Sequence, residues 1–208
     1  MSDKPDRVPR IAGAKATVGL LLMRSYLLAG NARHYDGVIA SLEARGLSVL
    51  PAYASGLDAR PAVERFFMQD GRPMVDAVVS LTGFSLVGGP AYNDAKAAEE
   101  VLASLDVPYL AAQPLEFQTL NDWGGSDRGL LPVENTLMIA IPELDGAIVP
   151  MVFGGRAGEA DVQCTGCHKA CVFEASINRH DMHTCVERTA MLAARVRKLI
   201  DLRKSERA

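Results

Sequence analysis

Four cysteines crowd into 22 residues with the spacing Cys164-x2-Cys167-x3-Cys171-x13-Cys185, and His168, His180 and His183 are interleaved among them. Thiolates this close in sequence can share one metal or cluster, because the chain between them closes on itself at little entropic cost. A [4Fe-4S] cluster on four thiolates and a structural zinc with mixed thiolate and imidazole ligands both match these residue types. The three-residue gap departs from the commonest paired zinc spacing. Reduced, semi-exposed thiols are the third reading.

A second constellation is built from histidine and carboxylates. Gly30-Asn31-Ala32-Arg33-His34-Tyr35-Asp36 opens a helix at the end of a strand, where a substrate would be met. His34 could serve there as a base or axial metal ligand near neutral pH, with Asp36 beside it; an exposed helix start with ordinary first-turn charge explains the same residues. Pro142-Glu143-Leu144-Asp145-Gly146 offers two carboxylates in a turn, suited to delivering a hard cation or removing a proton from a substrate. A solvated Asp-Gly turn is the alternative. Glu116 and Glu134 are further carboxylates expected near the same rim. Thr82-Gly83-Phe84-Ser85-Leu86-Val87-Gly88-Gly89-Pro90 places glycines where the backbone turns sharply or approaches a ligand. No Lys-Ser or Lys-Thr follows it and it is not G-x-G-x-x-G, so phosphate binding is unsupported.

The elements that must position these residues alternate. Thr17 to Met23 is a continuous apolar run, expected for a central strand buried on both faces. His34 to Arg45 has helical spacing and is capped by Gly46. Further strands are expected at Leu47–Tyr53, Val75–Leu81, Val107–Ala111 and Ala147–Phe153, and helices at Ala62–Met68, Tyr92–Leu105 and Leu131–Ile141, the last stopped by Pro142. Strand and helix in strict turn imply an α/β fold, a three-layer domain on a parallel sheet of Rossmann-like or flavodoxin-like type. The ligand-facing loops are then Arg24 to Arg33, Ala54 to Arg60, Thr82 to Pro90 and Ala112 to Gln118. Residues 1–15 read as a disordered leader, 16–155 as the α/β domain, and 156–208 as a Cys-rich segment followed by a long amphipathic C-terminal helix from Val186 to Lys204, with a linker near Gly154 to Ala160.

Composition narrows the partners. The 208-residue chain is 49% hydrophobic and 23% charged, and no apolar run reaches the roughly 18 to 20 residues that span a bilayer. A net charge of −3 with mixed signs leaves no basic stripe for nucleic acid. The charged amino-terminal residues lack a secretory signal's apolar core, so a cytoplasmic location with reduced thiols is expected.

Taken together, Gly19 to Met23, Gly30-Asn31 with His34-Tyr35-Asp36, Val78 to Pro90, and Leu131 to Gly146 resemble the large porphyrin-binding subunit of magnesium chelatase, whose fold the cobaltochelatase large subunit shares. The resemblance covers residues 15 to 205, and because that subunit is a much longer polypeptide the chain resembles a segment of it. It implies ATP-dependent insertion of Mg2+ into protoporphyrin IX on the route to chlorophyll and bacteriochlorophyll, with ATP hydrolysed by separate AAA+ partner subunits. Under it, His34, Glu143 and Asp145 are expected on the catalytic path, Asp36, Gly83, Gly88 and Gly89 against the macrocycle, and Cys164, Cys167, Cys171 and Cys185 on an iron–sulfur cluster or zinc. Cobalt insertion into a corrin precursor and a non-catalytic metal-binding interaction module are the alternatives.

Overall fold

The structure, a computed structural model, describes residues 11–89, 92–156, 162–164, 171–173 and 181–206. Residues 1–10 of the expected leader and most of the stretch between Arg156 and Asp181 fall outside them. β1 (Ala16–Leu22) is the buried apolar run, followed by a short helix α1 (Arg24–Leu28) and by α2 (Arg33–Glu43). Next come β2 (Leu47–Tyr53), α3 (Arg60–Phe67), a small hairpin of β3 (Met68–Gln69) and β4 (Arg72–Pro73), then β5 (Ala77–Ser80), α4 (Ala95–Leu105) and β6 (Tyr109–Leu115). After α5 (Leu120–Gly124), one helical stretch runs from α6 (Pro132–Glu134) through π-helical turns at Asn135–Ala140 into α7 (Ile141–Leu144), and leads to β7 (Ile148–Arg156). A hairpin of β8 (Val162–Cys164) and β9 (Cys171–Phe173), the strand β10 (Met182–Thr184) and the helix α8 (Val186–Glu206) complete the order.

The main sheet has the order β10-β7-β6-β5-β1-β2. Its five strands from β2 to β7 are parallel, and β10 runs antiparallel to β7. Counted among the parallel strands alone, the order is 2-1-3-4-5, the doubly wound arrangement whose switch point lies beside the first strand. Val38 and Leu42 of α2 and Leu192, Val196 and Ile200 of α8 bury Val18, Leu20, Val79, Leu110 and Phe153 on one face. Val63 and Phe67 of α3 and Ala98, Val101 and Leu105 of α4 cover Leu21, Val78 and Ala111 on the other. The chain beyond Gly155 therefore returns to the sheet unit, and the Ser41 hydroxyl of α2 donates to Thr189 of α8 at 2.8 Å.

One helix and one strand run past their expected ends, each through a proline. Pro142 does not stop its helix, which continues to Leu144. A proline lacks the N–H that a regular turn would use and crowds the carbonyl before it, and the π-helical turns immediately upstream widen the helix where it enters. β6 runs past its expected end at Ala111, through Pro114 to Leu115. The pairing with β5 finishes at Ala111, and the ladder with β7 is irregular between Gln113 and Pro114, so no bond to β5 is lost.

β10 sits so close to β7 that a Cβ on Gly154 would lie 2.1 Å from the carbonyl oxygen of His183. Gly154→Ala should therefore cost about 1–3 kcal/mol by forcing the strands apart. Urea unfolding measures it, and a variant as stable as the parent would contradict this packing.

Candidate functional site

The carboxyl ends of β1, β2 and β5 open into a cleft of about 310 Å³ between α1, the segment 54–59 and the loop 82–89. It falls at the switch point, where the connection leaving β1 goes one way and the next returns past it. Leu28 and Leu57, both more than half exposed, stand at its rim, and Phe84 and Leu86 form its inner wall. Arg24, Ser25, Ser55, Ser80, Thr82 and Ser85 contribute the polar groups of its lining. Clefts of this size with an apolar lining and few polar groups are typical small-molecule sites.

The glycine-rich loop holds its shape through a compact set of hydrogen bonds. The backbone N–H of Leu86 donates to Asp145 Oδ2 at 2.6 Å and Asn93 Nδ2 donates to Asp145 Oδ1 at 2.8 Å. Ser85 donates to the Val87 carbonyl and accepts from the Val87 N–H and from Asn93 Nδ2. Gly88 has φ +111°, and a Cβ there would lie 2.2 Å from the Tyr92 carbonyl oxygen, so only glycine fits. Gly83 lies over Met138, and Gly89 packs on the Leu57 side chain at the cleft wall. The loop and Asp145 are thus brought together as one unit. Asp145 is buried and acts by bracing the loop, whereas Glu143 is exposed on the same corner.

His34 and Asp36 go elsewhere. His34 is fully buried, its ring 3.9 Å from Tyr35, 4.9 Å from Tyr26 and stacked at 5.9 Å on Phe153. Neither ring nitrogen has a hydrogen-bond partner, and burial lowers the imidazole to about 4, so it is neutral at physiological pH. The placement is that of a core aromatic, because His34, Val38 and Leu42 recur every four residues on the buried stripe of α2. Asp36 faces solvent. The hydroxyl of the neighbouring Tyr35 instead caps the end of β1, accepting from the Met23 N–H at 3.2 Å.

Beside the cleft, sharing Ser25 with it, is a second depression of about 410 Å³ lined by Tyr26, Asn31, Glu116, Arg156 and Met182. Glu116 Oε1 and Arg156 Nε are buried there without hydrogen-bond partners. Burial raises the Glu116 carboxyl above its ordinary range, with Tyr26 and Arg156 pulling it back in part. Burial likewise pushes the Tyr26 phenol up, and Glu116 adds to that. Glu116 had only a weak claim from sequence, and Tyr26 and Arg156 had none; the available signal was position, at the carboxyl ends of adjacent strands. Glu134, fully buried, accepts from the N–H groups of Gln118 and Leu131 and from the Gln118 side chain, tying the segment after β6 to the start of α6.

The metal expectation gains no support. Cys164 and Cys171 are in direct register across the β8–β9 hairpin, and Cys167, His168 and His180 lie outside the described residues. Cys185 is buried in an apolar cluster with Leu115, Leu120 and Val152. Among the described residues, no group of three or more His, Cys, Asp or Glu side chains could hold a metal ion, and no helix is long and apolar enough to cross a membrane.

Comparison with known proteins agrees with this architecture. The family model for CobN/magnesium chelatase matches residues 6–208. The H subunit of magnesium chelatase from Cereibacter sphaeroides is 52% identical over 203 residues, which is 97% of this chain and 17% of that protein. The aerobic cobaltochelatase subunit CobN of a Sinorhizobium species is 29% identical over 141 residues, 68% of this chain and 11% of that one. Among solved structures, the catalytic subunit of cobaltochelatase from Mycobacterium tuberculosis superposes with a TM-score of 0.62 at 24% identity, covering 89% of this chain and 14% of that one. The chain therefore spans about a sixth of the length of the Cereibacter protein.

Proposed function

Since the chain belongs to the CobN/magnesium chelatase family, we propose that it forms part of the tetrapyrrole-binding machinery of a magnesium chelatase, with the switch-point cleft seating the face of protoporphyrin IX. The observation that carries this reading is the cleft itself: an open, apolar slot with leucines at its rim, bounded by a rigid glycine-rich wall. A flat hydrocarbon macrocycle loses water against such walls, and the stabilisation grows with the apolar area covered. Magnesium is favoured over cobalt because identity to the magnesium-chelatase protein far exceeds identity to the cobaltochelatase one.

The reaction needs the macrocycle held, two pyrrole protons removed and a strongly hydrated Mg2+ stripped of water, which that ion resists. Coupling to ATP hydrolysis supplies the drive. No Walker loop occurs in this sequence, in keeping with AAA+ partner subunits carrying that step in the same, cytoplasmic, compartment. Within this division we assign the Gly83 to Gly89 wall to holding the ring, Asp145 to fixing the wall, and exposed Glu143, on the same corner as Asp145, to meeting the hydrated ion. No step is assigned to a cluster or zinc on the four cysteines.

Titrating protoporphyrin IX against the purified 208-residue chain should give saturable fluorescence quenching. Leu57→Glu, which puts a charge on the exposed rim of the cleft, should weaken it at least about tenfold by making ring binding desolvate a carboxylate. Its circular dichroism should be unchanged. The reading fails if the parent chain produces no saturable quenching.

A further inference from the structure

We propose that the depression formed by Tyr26, Glu116 and Arg156 binds a carboxylate side arm of the ligand whose ring occupies the adjoining cleft. The inference rests on the tetrapyrrole reading above and adds to it the group that fixes the ring's orientation. Two observations carry it. The depression and the cleft meet at Ser25, which lines both. Within the depression, Arg156 Nε is buried with no hydrogen-bond partner. Buried polar atoms without partners are exceptions in folded proteins and are costly.

A guanidinium stays charged at any physiological pH and presents its donors in a fork that matches a carboxylate. Arg156 and Glu116 emerge from neighbouring strands, since Leu115 pairs with Gly155 in the β6–β7 ladder. The geometry therefore sets a donor and a carboxyl side by side at the mouth of the sheet. Glu116 decides which anion is acceptable. A multiply charged phosphate would be repelled by it, whereas a single carboxylate can share a proton with a second carboxyl. Burial already favours the protonated form of Glu116, so the shared proton has somewhere to reside. Ala29 and Met182 complete the lining, an apolar surface suited to a short methylene chain. Protoporphyrin IX, with carboxyls on short aliphatic arms, has this chemistry.

The test compares protoporphyrin IX with its dimethyl ester by fluorescence quenching of the full 208-residue chain. The parent chain should bind the free acid about tenfold more tightly than the ester, as expected for one charge-assisted hydrogen-bonded pair. Arg156→Met should erase that preference while leaving ester affinity intact, which also shows that the variant is folded. Arg156→Lys should keep part of it. Glu116→Gln, which supplies a permanent donor where Glu116 donates only when protonated, should tighten the acid several-fold and leave the ester unchanged. Equal affinity of the parent for acid and ester, with Leu57→Glu still weakening both, would overturn the carboxylate site and leave the cleft reading standing. A preference that survives in Arg156→Met would overturn it too. Quenching by neither compound would remove the cleft reading and this inference with it.

Discussion

Asp145→Ala should lower the unfolding free energy by about 3–6 kcal/mol, since two hydrogen bonds to a carboxyl acceptor are lost at about 1.5–3 kcal/mol each. Both bonds are short, 2.6 Å from the Leu86 N–H and 2.8 Å from Asn93, and Asp145 is only 3% exposed. Water cannot readily replace it, so the Leu86 N–H would be left buried and unsatisfied. The same Leu86 accepts through its carbonyl from the Ala59 N–H at 2.9 Å, which joins two walls of the cleft. Loosening one bond therefore loosens the site, and porphyrin quenching should weaken with stability. Asp145→Asn keeps one acceptor and should lose roughly half as much. Chemical denaturation followed through Trp123 reads both variants. Should Asp145→Ala unfold within about 1 kcal/mol of the parent, the bracing role would have to be abandoned.

Acidification from pH 6.5 to 4 should remove up to about 3 kcal/mol of stability through His34 alone. The folded imidazole titrates at about 4 against an ordinary 6.5. In that window the unfolded chain binds a proton that the folded protein does not. Stability is therefore complete above pH 6.5, rises with pH between 4 and 6.5, and is lost as pH falls through the window. Glu116 works in the opposite sense, because its raised carboxyl holds a proton longer in the folded state, and its contribution fades as pH rises. His34→Phe separates the two. Phenylalanine suits the ring of Tyr26, Tyr35 and Phe153 around this position and removes two unpartnered nitrogens, so at pH 7 it should be as stable as the parent or more so. Its stability curve below pH 6.5 should be correspondingly flatter, and parallel curves for the two proteins would exclude His34 as the source.

The alternation of apolar runs and helical stripes was enough to locate the parallel strands and three of the loops that line the cleft. β1 and β2 were legible because a strand buried on both faces must be apolar throughout. What escaped was non-local or exceptional. β10 is three residues long and owes its existence to a glycine across the sheet, a signal no periodicity carries. Pro114 and Pro142 each stand where a local rule is relaxed by context, an ended ladder in one case and π-helical turns in the other. His34 could have been placed correctly, since it shares the four-residue spacing of Val38 and Leu42; its chemistry drew it toward the rim, while its phase on the helix turned it inward. Glu116 and Arg156 lie 40 positions apart in the sequence and meet only because β6 and β7 are neighbours.

The placement of α8 against α2 has a bearing on how the chain is made. One face of the sheet, including Val18, Leu20 and Val79, is sealed only when Leu192, Val196 and Ile200 arrive. On a ribosome those residues emerge after every parallel strand has already been released. Until then the nascent sheet shows a greasy side to the cell, the kind of transient surface that recruits chaperones and invites aggregation.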